Sequence, residues 1–166
     1  MWRPPSGAFR AAARALLLLA VPLGAAAQLA PGDAFPPLPA AVAGTAGKVV
    51  LVDFWASWCA PCKASFPAYG RLDHDFRAAG LVIVGVGVDE DPVAYESFVK
   101  RWAPGFFVYR DADHSLVRRV RIPTMPTSYL IDRRGRVRYV HPGYRGAETE
   151  AALRREIETL LTEKAS

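Results

Sequence analysis

Two apolar, β-branched runs separated by a helix-length segment set the strongest limit on how this chain can fold. The first run is KVVLVDFW, residues 48 to 55, and the second is LVIVGVGVD, residues 81 to 89. Both have the length and composition of buried strands. The segment between them predicts a helix from about Ala60 to Ala79, with Pro61 tolerated in its first turn. Because a strand, a helix and a strand within about 40 residues form a βαβ unit, we expect parallel strands.

The rest of the pattern extends this unit into one α/β domain. It adds, in chain order, a helix from Asp91-Pro92 to about Trp102, a strand over 106–111, a short helix over 113–120, a hairpin around Arg133-Arg134-Gly135, and a C-terminal helix marked by Leu153, Ile157, Leu160 and Leu161. Aspartate before proline is typical of a helix start. The predicted fold class is α/β, with a central mixed sheet and helices on both faces.

Residues 1 to 27 differ from the rest of the chain, because they carry three arginines and no acidic residue. An uncharged run from Ala15 to Ala27 closes on three alanines, which is an A-x-A-like cleavage signature. We predict a secretory signal peptide and export, most simply to a bacterial periplasm. The 13 uncharged residues are fewer than the roughly 20 that span a bilayer. An uncleaved anchor that tethers the protein to the inner membrane is the alternative.

The charge of the remaining chain is small. Removing the leader takes three arginines from 21 Lys+Arg and leaves 18 against 16 Asp+Glu, a net charge of +2. A nucleic-acid partner is therefore not expected. The arginines in 118–121 and 133–138 are typical of solvated faces, with a docking patch for an acidic partner as the alternative. Residues 28 to 47, rich in proline, glycine and alanine, predict an extended segment, and residues 48 to 166 the folded domain, which we expect to be a monomer.

The chain has two cysteines, Cys59 and Cys62, and three uses for such a pair compete. A structural staple is disfavoured, because closing a four-residue loop stabilises by about 2 kcal/mol in the loop-entropy model, against nearly 5 for a loop of about 100 residues. A structural zinc site needs four ligands, and His74, His114 and His141 stand singly. We therefore expect no metal and no cofactor.

A redox centre explains the position of the pair. Cys59 lies at the predicted N-terminus of the helix that follows the first strand, where free backbone N–H groups stabilise a thiolate. Cys62, one turn later, is placed to attack Cys59 and resolve a mixed disulfide. The dipeptide between them, Ala60-Pro61, is stiffened by its proline. The sequence thus favours a redox-active disulfide, Cys59–Cys62.

The surrounding segment carries a family resemblance. VDFWASWCAPCK, with Trp58 to Lys63 ungapped, resembles the active-site segment of thioredoxin-fold oxidoreductases, and Pro67 falls where that family kinks its active-site helix. With GVGVDED, FFVYRD and MPTSYLIDRRGRV, the chain is similar to exported TlpA/ResA/CcmG-like thiol-disulfide oxidoreductases over nearly all of residues 30 to 163. The resemblance implies a thioredoxin-like fold for the domain.

The resemblance also implies a substrate-binding set around the disulfide. Pro126 matches the family's cis-proline, whose loop lies beside the disulfide and offers backbone hydrogen bonds to a substrate. A trans proline at a strand start is the alternative, a description that fits Pro123 better. Met125 would touch the substrate, and Trp58 would shield the exposed sulfur and add an apolar docking surface. The implied set is Trp58, Ala60, Pro61, Met125 and Pro126.

Two acidic residues are candidates for the proton acceptor. Asp53 aligns with the buried acid of cytoplasmic thioredoxins, and burial in an apolar strand is expected to raise its pKa. It would then accept the proton of Cys62 during resolution; a strand acid pointing to solvent is the alternative. Glu90 matches the position of an active-site glutamate in ResA-type proteins, with an exposed loop acid as the alternative. The choice between the two acids stays open here.

The implied function is that of an exported thiol-disulfide oxidoreductase that reduces disulfides of client proteins. The family is implied to receive electrons from a membrane thiol carrier and to serve clients such as apocytochrome c or copper-site proteins of respiratory oxidases. The motif does not set the direction, because C-x-x-C proteins differ in reduction potential by about 100 mV or more. The alternatives are a copper-handling thioredoxin-like protein that uses both sulfurs as Cu(I) ligands and a thiol peroxidase, whose P-x₃-T-x₂-C context is absent.

Overall fold

The computed structural model describes residues 28–42, 44–102 and 104–163, so the predicted signal peptide, residues 1–27, lies outside the described residues. The elements are β1 (Val49–Trp55), α1 (Ala60–Phe76), β2 (Leu81–Gly87), α2 (Pro92–Trp102), β3 (Phe107–Arg110), α3 (Ser115–Val120), β4 (Thr127–Ile131), β5 (Val137–Pro142) and α4 (Ala147–Thr162). The predicted strands and helices are all found. Helix α1 ends at Phe76 rather than Ala79, because the chain turns there to reach Gly80, which has a φ of 107°.

The sheet has five strands in the order β3-β2-β1-β4-β5. Strands β1 and β2 are parallel, as the βαβ unit predicts, and β2 and β3 are also parallel. Strand β4 runs antiparallel to β1 and to β5. The sheet is therefore mixed, which confirms the predicted α/β class.

Strand β1 is the centre of the molecule, and each of its residues is buried. Alternate side chains point to opposite faces of a sheet. Leu51 and Trp55 belong to one core cluster, together with residues of α1, α2 and α4. Val52 and Phe54 belong to a second cluster, which includes residues of α3 and of the N-terminal segment. A central strand covered on both faces accounts for the unbroken apolar run in the sequence.

The described part of the N-terminal segment, residues 28–42 and 44–47, lies against the domain. Gly32 N–H donates to the Val137 carbonyl at 2.8 Å, and Phe35 N–H donates to the Gly135 carbonyl at 2.9 Å. Ala34 forms an isolated antiparallel bridge with Arg136. None of the helices in the described part of the chain is long and apolar enough to cross a bilayer.

The topology brings two distant loops to one edge of the sheet. Because β1 and β4 are antiparallel, the end of β1 pairs with the start of β4, with Phe54 opposite Thr127. The cysteine loop follows β1, and Pro126 precedes β4. The two loops therefore emerge side by side, and the candidate site lies there.

Candidate active site

The two cysteines form a disulfide at the start of α1. Cys59 is the N-cap residue of this helix, and its sulfur accepts a hydrogen bond from the Cys62 N–H at 3.3 Å. Cys62 lies in the first turn and is fully buried, whereas Cys59 keeps 4% of its surface exposed. Helix-terminal N–H groups favour negative charge. Of the two sulfurs, that of Cys59 is thus both the one nearer solvent and the one at the helix N-cap.

Exposed residues surround the buried sulfurs. Trp58 is 69% exposed, which is unusual for so large an apolar side chain. Ala60 and Pro61 are exposed as well. An apolar rim around a buried disulfide can contact a protein that presents its own disulfide. In contrast, Trp55 is fully buried and is a core residue.

The loop before β4 lies at the same edge of the sheet as the cysteine loop. The peptide bond between Met125 and Pro126 is cis, in agreement with the resemblance. Met125 is half-buried and packs against the core cluster that contains both cysteines. The Pro126 carbonyl already accepts a hydrogen bond from Gly143 N–H at 2.8 Å. The structure thus places this loop beside the cluster that contains the disulfide, and contact of these residues with a substrate stays a prediction.

Asp53 lies inside the sheet with 1% of its surface exposed, so the solvent-facing alternative is wrong. The Tyr69 hydroxyl donates a hydrogen bond to its Oδ1 at 3.0 Å. Its Oδ2 has no hydrogen-bond partner among the described residues. Burial raises the pKa of Asp53 well above its ordinary value of 3.8, and the hydrogen bond from Tyr69 acts in the opposite direction.

Glu90 is exposed in the loop after β2, apart from Asp53. It lines a surface groove of about 580 Å³ together with Trp58, Val88 and His114. The groove places Glu90 on the same side of the molecule as the exposed tryptophan. The two candidate acids therefore occupy different environments, one in the core and one on the rim.

Asp89, next to Glu90, is a site residue that the sequence interpretation missed. It is buried, with 3% of its surface exposed. Its carboxylate accepts hydrogen bonds from the Ser57 N–H at 3.0 and 3.1 Å and from the Ser57 hydroxyl at 2.6 Å. Asp89 thus ties the cysteine loop to the end of β2. No local pattern distinguished it from the neighbouring acids Glu90 and Asp91.

Tyr69 and Ser65 were missed as well, although a signal for them exists. They follow Cys62 by seven and three positions, a spacing that places all three on one face of a helix. Both are buried, and the Ser65 hydroxyl donates to the Cys62 carbonyl at 2.9 Å. Hydroxyl-bearing residues on the buried face of α1 indicate polar partners in the core, and the partner of Tyr69 is Asp53.

No group of three or more histidine, cysteine or acidic side chains in the described part of the chain could hold a metal ion. The histidines have other partners. His114 Nε2 lies 3.0 Å from the Val88 carbonyl, and His141 Nε2 lies 2.6 Å from Glu156 Oε2. The chemistry that the site itself offers is that of two sulfurs and a buried carboxyl.

The comparisons with known proteins agree with this geometry. A family model described as Redoxin matches residues 37–157. The thiol-disulfide oxidoreductase ResA of Bacillus subtilis (strain 168) is 35% identical over 91 residues, which are 55% of this chain and 51% of that protein. The chain thus spans about half the length of the curated relative it matches.

Solved structures show the same fold. A candidate thiol:disulfide interchange protein DsbE from Chlorobium tepidum superposes with a TM-score of 0.75 at 33% identity, over 81% of this chain and 99% of that one. The thioredoxin domain of a thiol-disulfide oxidoreductase from Bacteroides vulgatus gives a TM-score of 0.67 at 20% identity, over 78% and 99%. The predicted thioredoxin-like fold and the resemblance to ResA-like proteins are confirmed.

Proposed function

The chain belongs to the Redoxin family, and on that premise we propose that it is a thiol-disulfide oxidoreductase that acts on disulfides of client proteins. The observation that carries the proposal is the Cys59–Cys62 disulfide at the N-cap of α1. It lies beside the cis Met125–Pro126 bond and the exposed Trp58. ResA and DsbE, the relatives described above, carry names of the same activity.

The reaction begins with Cys59 in the reduced protein. Its thiolate, stabilised by the helix N-terminus, attacks one sulfur of the client disulfide. The client's S–S bond breaks, one client sulfur leaves as a thiolate, and a mixed disulfide joins Cys59 to the other. Trp58 and the loop of Met125 and Pro126 would hold the client segment during this step. Both cysteines are buried, but Cys59 keeps 4% of its surface exposed and Cys62 none, which supports this order of attack.

Cys62 then resolves the mixed disulfide. It loses its proton to a base, and its thiolate attacks the Cys59 sulfur. The Cys59–Cys62 disulfide forms, and the client leaves fully reduced. We assign the base to Asp53, because burial raises its pKa and its carboxyl hydrogen-bonds to Tyr69, which lies on the same buried face of α1 as Cys62,. Glu90, exposed on the rim, is the alternative acceptor.

We further propose that the protein works as a reductant outside the cytoplasm. The amino-acid pattern of residues 1–27 supports export, either as a cleaved signal peptide or as an anchor in the inner membrane. In that setting a membrane thiol carrier would return electrons to the Cys59–Cys62 disulfide. Apocytochrome c or copper-site proteins of respiratory oxidases are the proposed clients, on the strength of the family resemblance.

Trapping tests the proposal. In cells that produce the protein, the Cys62→Ser variant should accumulate mixed disulfides with clients, because Cys59 still attacks and nothing resolves the product. The Cys59→Ser variant is the matched control, since it also lacks the internal disulfide, and it should trap none. Non-reducing gels and mass spectrometry identify the complexes. If the two variants trap alike, or neither traps anything, Cys59 is not the nucleophile of a disulfide exchange.

A further inference from the structure

Four buried polar side chains form a cluster next to Cys62. They come from three elements: Asp53 from β1, Ser65 and Tyr69 from α1, and Ser128 from β4. Asp53 and Ser128 are direct neighbours in the β1–β4 register. Tyr69 donates a hydrogen bond to Asp53, and the hydroxyls of Ser65 and Ser128 lie within reach of the Tyr69 oxygen. Because the surroundings are otherwise apolar, each of these hydrogen bonds lies in a medium of low dielectric.

The protons of the cluster fix the direction of its hydrogen bonds. A tyrosine or serine hydroxyl has one proton to donate. The Tyr69 proton goes to Asp53 Oδ1 at 3.0 Å, and the Ser65 proton goes to the Cys62 carbonyl at 2.9 Å. Ser128 is then the donor to the Tyr69 oxygen. The chain of donation runs from Ser128 to Tyr69 to Asp53, and it ends on Oδ1.

The second carboxyl oxygen of Asp53 is left without a partner. Oδ2 is buried, and it has no hydrogen-bond partner among the described residues. Since Oδ1 already accepts the Tyr69 hydroxyl, Oδ2 is the oxygen that can take up a proton without breaking a hydrogen bond. The two oxygens of the carboxyl therefore differ: Oδ1 accepts a hydrogen bond from Tyr69, and Oδ2 accepts none from the described residues.

Few other titratable groups face Asp53. From α1 the group is Tyr69, which hydrogen-bonds to Asp53, and Cys62 lies on the same face of that helix, seven positions earlier. On β2 its register partner is Gly85, which has no side chain. On β4 the register partner of Asp53 is Ser128. The next strand, β5, places His141 opposite Ser128, and His141 Nε2 pairs with Glu156 of α4. Within the described residues, Tyr69 is the titratable side chain that hydrogen-bonds directly to Asp53.

We propose that Tyr69 is a positioning residue of the redox site, an inference that rests on the proposed function. Its phenol holds Asp53 Oδ1 and keeps Oδ2 free to accept the proton of Cys62. In that step the Cys62 S–H bond breaks and an O–H bond forms on Oδ2. The Cys62 electron pair then forms the bond to the Cys59 sulfur, while the client sulfur leaves with the electrons of the mixed disulfide. The protein is oxidised to the disulfide, and the client is reduced.

The role of Tyr69 predicts how the site depends on pH. A hydrogen bond to the carboxylate stabilises the charged form, and the Tyr69 bond accordingly works against the effect of burial on the pKa of Asp53. Without the hydroxyl, the pKa of Asp53 should rise further. A smaller fraction of Asp53 is then ionised at a given pH, and resolution by Cys62 should be slower.

The test compares two tyrosine-to-phenylalanine variants of the full chain. Tyr69→Phe removes the donor to Asp53, whereas Tyr129→Phe removes a buried hydroxyl that has no partner in the described structure. Two quantities are measured: the pKa of Asp53 by carboxyl ¹³C NMR of the oxidised protein, and the pH profile for breakdown of a mixed disulfide between Cys59 and glutathione. In Tyr69→Phe both midpoints should rise by about one pH unit, which makes breakdown roughly tenfold slower below the midpoint.

The controls separate a role in the reaction from a role in packing. Tyr129→Phe should leave both midpoints unchanged. Adding Tyr69→Phe to Asp53→Asn should not shift the kinetic midpoint beyond that of Asp53→Asn alone. Ser128→Ala, which removes the donor to Tyr69, should shift both midpoints in the same direction by less, and it carries the test if Tyr69→Phe does not fold. An Asp53 pKa that is unmoved, or a pKa that moves without the kinetic midpoint, overturns the role of Tyr69. A wild-type protein that exchanges no disulfides refutes the proposed function instead.

Discussion

Burying Asp53 in the central strand has a free-energy cost that its neighbours offset only in part. An ionised carboxylate has about four sites for hydrogen-bond donors, and in the described structure Asp53 receives one donor, from Tyr69. Burial therefore raises its pKa. A residue that weakens the fold in this way is more readily explained by the chemistry of the site than by packing.

Asp53→Asn should make the protein more stable at neutral and alkaline pH. Because the folded-state pKa of Asp53 lies above its ordinary value of 3.8, wild-type stability is fully present below that pH and is lost as the pH rises through the raised pKa. Asparagine has no such proton. The gain should therefore grow with pH and reach roughly 1–3 kcal/mol, the usual cost of an uncompensated buried polar group. Urea unfolding of both oxidised proteins between about pH 4 and pH 9 measures it. Parallel stability curves across this range would contradict a buried ionisable Asp53.

The parts of the site that could be predicted from the sequence are those held by local contacts. Cys59 and Cys62 are joined by a single turn of α1, and the apolar residues around Asp53 already indicated its burial. Asp89 differs, because its partner is Ser57, 32 positions away. Asp89 and Glu90 look alike in the sequence, and which of the two points inward depends on how the loop after β2 meets the cysteine loop.

At the scale of elements, strand β2 carries two glycines because aromatic rings from other elements occupy the space above them. A Cβ at Gly87 would lie 2.6 Å from Tyr95 Cε2 and 3.0 Å from Trp55 Cζ2. A Cβ at Gly85 would lie 3.0 Å from Trp55 Nε1. The run LVIVGVGVD correctly predicted a strand. The reason for its two glycines could not be predicted from the sequence, because the rings that require them belong to other elements, Trp55 of β1 and Tyr95 of α2.

Gly87→Ala should destabilise the fold by about 1–3 kcal/mol, since the added methyl group forces apart the Tyr95 and Trp55 rings, which stack with centroids 5.4 Å apart,. Gly70→Ala is the matched control. Gly70 lies within α1, and a Cβ added there would meet nothing within 4 Å beyond the helix's own backbone, so alanine should stabilise the helix by up to about 1 kcal/mol. Thermal unfolding followed by circular dichroism compares the two. A Gly87→Ala protein as stable as wild type would show that the rings move aside at no cost.

At the scale of the whole molecule, the turn between β4 and β5 joins the two ends of the described chain. Arg133 donates to three carbonyls at the end of α4, those of Leu160 at 2.8 Å and of Leu161 and Glu163 at 3.2 Å. Arg136 donates to the Gly32 carbonyl of the N-terminal segment at 3.1 Å. The sequence pattern indicated a solvated face for these arginines. Arg136 is exposed as expected, whereas Arg133 is half-buried and binds carbonyls of α4, so the interpretation needs correction at Arg133.

Arg133→Ala should therefore loosen α4 and lower the stability of the molecule. The last carbonyls of a helix have no partner within it, and a cation there also interacts favourably with the helix dipole. We expect a loss of about 1–2 kcal/mol, below the upper range for hydrogen bonds to a charged group because the side chain is half-exposed,. In Arg133→Ala, amides in the last turn of α4 should exchange with solvent faster than they do in the wild-type protein. The amides of β1 should be affected less. Arg134→Ala, at the neighbouring exposed position, should change neither the stability nor the amide exchange of α4. In the described structure Arg134 does not donate to these carbonyls. If the last-turn amides exchange equally fast in Arg133→Ala and Arg134→Ala, the end of α4 does not depend on its contacts with Arg133. The β4–β5 turn would then not stabilise α4.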